Sequence, residues 1–340
     1  MIDIADKNQL ESYLLAKKLI DPADGYSITY CSGGVSGTVA FVMAGSSPMI
    51  IKQALAQLKV KETWLCDPNR MNIEQLSNQV YYEYVPTAVP KVYFYDEENY
   101  IYGREAAPES CTMWKSDLLS GLLDFEVARK SIEALAIVHD ACSRDIEVAK
   151  TFEDKDVFYN LRISPYIEFT VAKYPQLQAY AQPIIDELMQ SSITLVHGDF
   201  SPKNILVQDR EIFILDFEVA HYGHPCFDLA FFANHFILKA VKTKAYCAAY
   251  LNMLEYMLTI YFSRCAFMDK KTLELSFIKL LALMQLARVD GKSPAESITS
   301  NEDKDLVRTI AFSLIEKQPD CFTNALMMIQ NIIHSKFAYC

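Results

Sequence analysis

Two carboxylates and an amide, Asp199, Asn204 and Asp216, stand within the stretch 195–232 at positions suited to metal-assisted phosphoryl transfer. That reaction asks for a nucleophile in line, a proton acceptor beside it, and cations on the phosphate oxygens. Magnesium keeps several waters and takes only one or two protein oxygens, so one Asn and one Asp suffice. On this reading Asp199 orients the attacking hydroxyl, and Asn204 and Asp216 hold magnesium against nucleotide phosphates. The surrounding residues bring the three together. Residues 193–196 form a short β-branched strand, and 197–203 form a loop with Gly198 and Pro202. Residues 205–207 and 212–215 read as two strands joined by the polar turn 208–211. Such a hairpin sets Asn204 at the start of one strand beside Asp216 at the end of the other. Any one of the three alone would be an ordinary turn residue; their joint spacing carries the reading.

The N-terminal half supplies elements that can hold a nucleotide. Residues 8–19 repeat Leu10, Leu14, Leu15 and Leu19 at helical spacing, and Asp21-Pro22 stops them. A strand at 26–30, a turn with Gly33, Gly34, Ser36 and Gly37, and a strand at 39–43 follow. Backbone amides in such a turn can approach phosphates without side chains in the way, although a glycine-rich hairpin by itself is only a turn. The next strand, 49–53, carries Lys52, and Asp67-Pro68 opens a helix that carries Glu74. Glu74 is the expected ion-pair partner of Lys52; Glu62 is the alternative and lies close to the strand. Residues 89–95 and 100–102 form a further hairpin, and 105–108 break the pattern.

His197-Gly198-Asp199, Asn204 and Leu215-Asp216-Phe217 resemble the catalytic and metal-binding loops of the aminoglycoside phosphotransferase and choline kinase superfamily. This is the small-molecule branch of the protein-kinase-like fold, and the wider stretch is similar to bacterial phosphotransferases of unassigned substrate. The resemblance implies a two-lobed α+β fold. The N-lobe, 1–105, would be an antiparallel sheet plus one helix that binds ATP or GTP with Mg2+. The C-lobe, 106–340, would be helical and hold the catalytic loop and the acceptor. It also maps Lys52 and Glu74 onto the paired lysine and glutamate, and Gly33, Gly34, Ser36 and Gly37 onto the phosphate loop. Glu105 and Ala107 would present backbone to the adenine edge, with Pro108 unable to donate. Asp228 would brace the catalytic loop, and His197 would support it. True protein kinases carry Lys where this chain has Ser201 and Gly where it has Glu218. No Ala-Pro-Glu follows, and little room remains before Asp228 for an activation loop. These departures favour a small-molecule hydroxyl over a protein acceptor.

Farther along, residues 124–142 form an amphipathic helix with Phe125, Ala128, Ile132, Leu135, Ala136 and His139 on one face. His139 there is expected to be a satisfied core residue, and Trp114 to pack. Arg162 and Tyr166 are candidates for an acceptor's anionic group, with a structural ion pair as the plainer role. Arg288, Asp290 and Lys292, at a helix end before Pro294, are further candidates, with a solvated terminus as the alternative. His221 and His224 lie three apart but lack a third ligand, which argues against zinc. Helices are expected at 176–190, 229–241, 243–264, 271–289, 303–317 and 320–336.

Composition narrows the classes. The 340 residues are 51% apolar, enough for two lobes, and the net charge of −11 disfavours nucleic acid. Acidity would suit a cationic acceptor, although many proteins are acidic for solubility alone. Nine cysteines without a CxxC pair read as reduced thiols of a cytoplasmic protein. No secretory signal or membrane-length apolar run is present. The expected state is a monomer or homodimer. The competing readings are a nucleotide-binding pseudokinase acting as an interaction module, and a protein kinase.

Overall fold

The computed structural model describes residues 2–31, 37–45, 47–54 and 67–337. Gly33, Gly34, Ser36 and Glu62 therefore lie outside the described residues. The chain divides into two units, Met1–Cys111 with Phe213–Val219, and Thr112–Ile212 with Ala220–Cys340.

The first unit is built on five antiparallel strands: β1 (Tyr26–Tyr30), β2 (Gly37–Ala44), β3 (Ser47–Ala54), β4 (Val92–Asp96) and β5 (Ile101–Glu105). Their order is β1-β2-β3-β5-β4. Side chains alternate between faces along a strand, and β3 uses both faces. Met49 and Ile51 join Ala40, Val42 and Ile101 in a core with Leu10 and Leu14 of helix α1 (Lys7–Ala16). Lys52 and Ala54 turn the other way, and Ala54 and Tyr102 pack on Met71 of helix α2 (Arg70–Tyr84). The helix α1 stops earlier than Asp21-Pro22 would have stopped it. Lys18 takes a left-handed φ of 57°, and the amides of Lys18 and Leu19 return to the carbonyls of Leu15 and Leu14. This closes the helix without glycine. The segment Phe213–Val219 lies along α2: Phe217 packs its ring 4.7 Å from Tyr81, and the Ile214 amide donates to the Ala88 carbonyl at 2.7 Å.

Helices dominate the second unit. Asp124 caps Phe125–Cys142 by accepting the Glu126 amide. Later come Gln178–Gln190, Cys226–Lys242, Cys247–Arg264, Lys270–Asp290, Asn301–Lys317 and Phe322–Phe337. Phe125, expected on the buried face, is 42% exposed and meets Tyr256 edge-on. It is the first residue of its helix and precedes the turn that enters the core. Tyr159–Glu168 winds as a π-helix with Pro165 inside it and carries Arg162 and Tyr166. Thr194–Val196 pairs antiparallel with His221–Gly223, a strand that the sequence reading did not foresee. The hairpin strands are Ile205–Gln208 and Glu211–Ile214. Asp209 and Arg210 between them both have positive φ, the two-residue turn whose twist suits a hairpin.

Gly103 on β5 has no room for a side chain, because a Cβ there would lie 2.2 Å from the Phe94 ring. Gly103→Ala should cost about 1–3 kcal/mol by overpacking. In urea denaturation the loss should shrink when Phe94→Ala is combined with it, and a purely additive double variant would contradict this packing account.

Candidate active site

In the first unit the site is organised by a buried ammonium. Lys52 is 8% exposed and its Nζ donates to Glu74 at 2.8 Å and to Asp216 Oδ1 at 2.7 Å. The register of β3 and β5 sets Tyr102 directly across from Lys52, and the Tyr102 hydroxyl donates to the same Glu74 oxygen at 2.8 Å. Burial works against the Lys52 charge, but the carboxylates of Asp216 and Glu74 outweigh it and hold the lysine well above its ordinary value. Gly37 matters at this point: a Cβ there would come within 2.7 Å of the Gln53 carbonyl oxygen, while it would meet the Lys52 stem at an ordinary 3.6 Å.

Asp216 sits in the left-handed region with φ 70°, a conformation that Asp and Asn tolerate better than most residues. Two residues on, Glu218 accepts from Arg70 Nε at 3.1 Å, and Arg70 is 1% exposed. Burial and the neighbouring Asp216 charge raise the Glu218 carboxyl, while Lys52 and Arg70 pull it back. Glu74, Asp216 and Glu218 each bring one carboxylate oxygen within 4.8 Å of the others. Lys52 and Arg70 already engage this trio, and its carboxylate oxygens are hard donors of the kind magnesium takes.

The second unit holds the Asp199 loop. Asp228, fully buried on Cys226–Lys242, accepts the His197 amide at 2.7 Å and the Gly198 amide at 2.9 Å. Its Oδ2 also meets His139 Nε2 at 3.2 Å, while His139 Nδ1 lies 2.6 Å from the Tyr261 hydroxyl. Burial opposes the Asp228 charge; bonding to His139 and the two imidazoles prevail and lower its pKa. Gly198 turns with φ 75° and presents its carbonyl to Arg162 Nε at 2.7 Å. Beyond the turn, Asp199 is 3% exposed. Arg162 Nη2 reaches its Oδ1 at 3.2 Å, and Lys203 Nζ reaches its Oδ2 at 2.9 Å. The Asn204 amide nitrogen donates to the Asp199 carbonyl at 3.0 Å and to Oδ2 at 2.8 Å. The amide oxygen is then what Asn204 can offer a cation.

The structure thus brings Lys52, Glu74 and Asp216 together, and separately Asp199, Asn204 and Arg162. Tyr166 lies beside Arg162, with the guanidinium 5.9 Å from its ring. Arg288 also sits over that ring at 5.9 Å and donates toward its hydroxyl at 3.4 Å. Asp290 engages Arg308 at 2.7 and 3.0 Å and accepts from Tyr174 at 2.8 Å. Lys292 lies over Phe169. The Glu105 carbonyl accepts the Arg104 guanidinium at 2.9 Å, and Ala107 is half-buried. Trp114 packs on Phe232 and Phe236. His221 stacks on Phe158 at 3.9 Å, and His224 faces Glu187 at 3.4 Å. Sequence reasoning passed over Lys203, Arg70 and Tyr102. Lys203 had a signal, four residues after the candidate base; Arg70 and Tyr102 had none short of the strand register and helix phase.

An antiparallel-sheet unit and a helical unit, carrying these lysine, carboxylate and amide groups, define the protein-kinase-like fold. It resembles the amicoumacin kinase hAmiN, solved with AMP-PNP, Ca2+ and Ami, with a TM-score of 0.58 at 12% identity over 92% of this chain and 95% of that one. It resembles a choline kinase from Cryptosporidium parvum Iowa II with a TM-score of 0.55 at 12% identity, over 92% and 97%. The chain belongs to the phosphotransferase enzyme family, whose model matches residues 27–258. Methylthioribose kinases of Bacillus cereus (strain G9842) and Bacillus mycoides (strain KBAB4) are each 28% identical, covering 58% of this chain and 57% of theirs. The chain thus spans little more than half the length of these curated relatives. No helix among the described residues is long and apolar enough to cross a membrane.

Asp228 gives a stability test with a definite sign. Its folded carboxyl titrates below the unfolded one. Its contribution is therefore complete above about pH 4 and is lost as pH falls through the lower folded value. Asp228→Asn should flatten that acid limb in denaturant titrations. Asp228→Ala, which strips the partner from a buried network, should cost about 3–5 kcal/mol at neutral pH.

Proposed function

We propose that this chain transfers the γ-phosphate of ATP or GTP to a hydroxyl of a small molecule. The observation that carries the reading is Lys52 held between Glu74 and Asp216, residues 22 and 164 positions away. One carboxylate would satisfy a structural lysine. Two of them leave an ammonium fixed by one acid and beside another whose second task is a cation, which is the arrangement phosphoryl transfer uses. The first unit is assigned to the nucleotide, with Gly33, Gly34, Ser36 and Gly37 over the phosphates and backbone at Glu105 and Ala107 toward the base. The second unit is assigned to the acceptor.

Asn204 and Asp216 would hold magnesium, which when bound neutralises charge on the phosphate oxygens. Asp199 takes the proton of the acceptor hydroxyl as its oxygen bonds to phosphorus. The bond from phosphorus to the bridging oxygen breaks, and its electron pair leaves on the nucleoside diphosphate. Arg162 and Lys203 hold the Asp199 carboxylate oxygens in place. Asp228 fixes the amides of the preceding turn, so that the base starts from a rigid backbone. The curated relatives are named for methylthioribose, which favours a sugar-like acceptor. Ser201 and Glu218, where protein kinases have Lys and Gly, speak against a protein acceptor.

Asp199→Ala should keep nucleotide binding and lower turnover by about 10²–10⁴-fold, the usual worth of a general base. Asp216→Ala should lose the magnesium-dependent part of the nucleotide-induced thermal shift. The pair is read by thermal shift with and without magnesium and by nucleotide consumption against a panel of hydroxyl compounds. Wild-type behaviour in both variants would remove the assignment.

A further inference from the structure

The acidic chain carries a cluster of positive charge next to Asp199. Arg162 on Asp199 lies 5.5 Å from the Phe231 ring, and Phe231 meets Tyr166 at 5.8 Å and His235 at 5.4 Å. Residues 231, 235 and 239 follow one another at four-residue steps on Cys226–Lys242, so they lie on one flank of that helix. Arg288, also 5.9 Å from the Tyr166 ring, comes from Lys270–Asp290. The two helices are joined one turn earlier by Gln285 donating to Asn234 at 2.8 Å.

Charge matching in this cluster is incomplete. Asp199 is met by Arg162 and Lys203, and Glu296 by Lys115 at 2.9 Å. Glu296 also feels the charge of Arg288, but it is exposed to solvent and bonded to Lys115 rather than to Arg288. Arg288 bonds only neutral partners, the Tyr166 hydroxyl and Ser293, and its buried Nε has no acceptor among the described residues. Lys239 is 4% exposed and, among the described residues, donates only to the His235 carbonyl at 3.3 Å. His235 Nε2 is likewise buried without a partner among the described residues. Burial lowers the Lys239 ammonium to about 7, and the nearby Lys115 and Arg288 add to the fall. A buried cation without a counter-charge costs the fold stability and persists where a bound anion supplies the charge.

We propose that the acceptor is an anionic hydroxyl compound, its carboxylate or phosphate held by Arg288 and Lys239 while its hydroxyl faces Asp199. This rests on Asp199 being the base. An acceptor bearing an ammonium would bring a like charge beside Arg288 and keep Lys239 from protonating, whereas an anion would favour its charged form. The chain's overall acidity, which alone would suit a cationic acceptor, therefore does not describe this site. A guanidinium can take either oxyanion through two parallel bonds.

The test is calorimetric titration of the full chain, without nucleotide, with a matched sugar set: gluconate, glucose 6-phosphate, glucose and glucosamine. Gluconate or glucose 6-phosphate should saturate, and which of them does so tells a carboxylate site from a phosphate site. Arg288→Met and Lys239→Met should each weaken that binding by about 10–100-fold, the loss expected for one charge-assisted contact. Arg288→Lys should recover part of it. Lys52→Met should leave it unchanged, which separates this site from a nucleotide-phosphate site. Lys239→Met removes a buried charge and should melt no lower than wild type, so lost binding is not lost folding. Tighter binding of glucose or glucosamine, absence of binding by both anions, or equal binding in both Met variants would overturn the proposal. The magnesium–nucleotide thermal shift on the same samples reads the phosphotransferase assignment separately. It persists if only the anion site is wrong, and nucleotide consumption against the hydroxyl panel is missing in the wild type if the phosphotransferase reading is wrong.

Discussion

An ammonium taken out of water must find opposite charge, and the first unit is arranged around that requirement at Lys52. Removing a charged group from water costs roughly several kcal/mol even after the protein relaxes. The lysine is kept charged by Glu74 from a helix and Asp216 from a returning segment. Tyr102, its cross-strand neighbour, pins the Glu74 oxygen from the sheet side. Phe217, next to Asp216, is held against Tyr81. Strand, helix and segment are thereby fixed to one another at a charged point as well as through apolar packing.

The second unit solves a different problem, that of aiming a carboxylate. A loop carboxylate would sample many positions if only its own side chain were restrained. Here the restraint acts on the backbone before it, because Asp228 takes two successive amides and is itself held by His139. Asp199 then receives a guanidinium, an ammonium and an amide on its oxygens. Fixing the geometry in advance is how a protein lowers the ordering cost of a reaction. The π-helical winding at Tyr159–Glu168 is part of this, since it presents Arg162 to the loop and Tyr166 beside it.

Net charge and local charge point in opposite directions in this protein. The sum over the chain is −11, yet the residues around Tyr166 are cationic, and the charges of Arg288 and Arg162 outweigh burial to lower the phenol. A total charge governs solubility and long-range attraction, while recognition depends on what lies within a few ångströms.

Much of the framework follows from the order of residues. Strand alternation at 26–30, 39–43 and 49–53 and the helical repeat after Asp67-Pro68 are local properties, and local propensity decided them. The spacing from Lys52 to Glu74 placed a cation on a strand face and an acid on the next helix, and the structure brings them within hydrogen-bond distance. The α+β kinase-like class was legible because His197-Gly198-Asp199, Asn204 and Leu215-Asp216-Phe217 resemble the loops of a known superfamily. Other features required tertiary structure. Phe125 fits the apolar repeat but sits at a helix start, where burial depends on what packs beyond it. The strand His221–Gly223 exists because Thr194–Val196 lies alongside, and nothing in its three letters announces a partner. Arg70 meets Glu218, and Arg288 lies over Tyr166, across 148 and 122 residues. Sequence alone settled which residue types were available and which local elements they form. Which charges meet and which are left unmatched was decided only by folding, because pairing between residues far apart in the chain depends on helix phase, strand register and packing together.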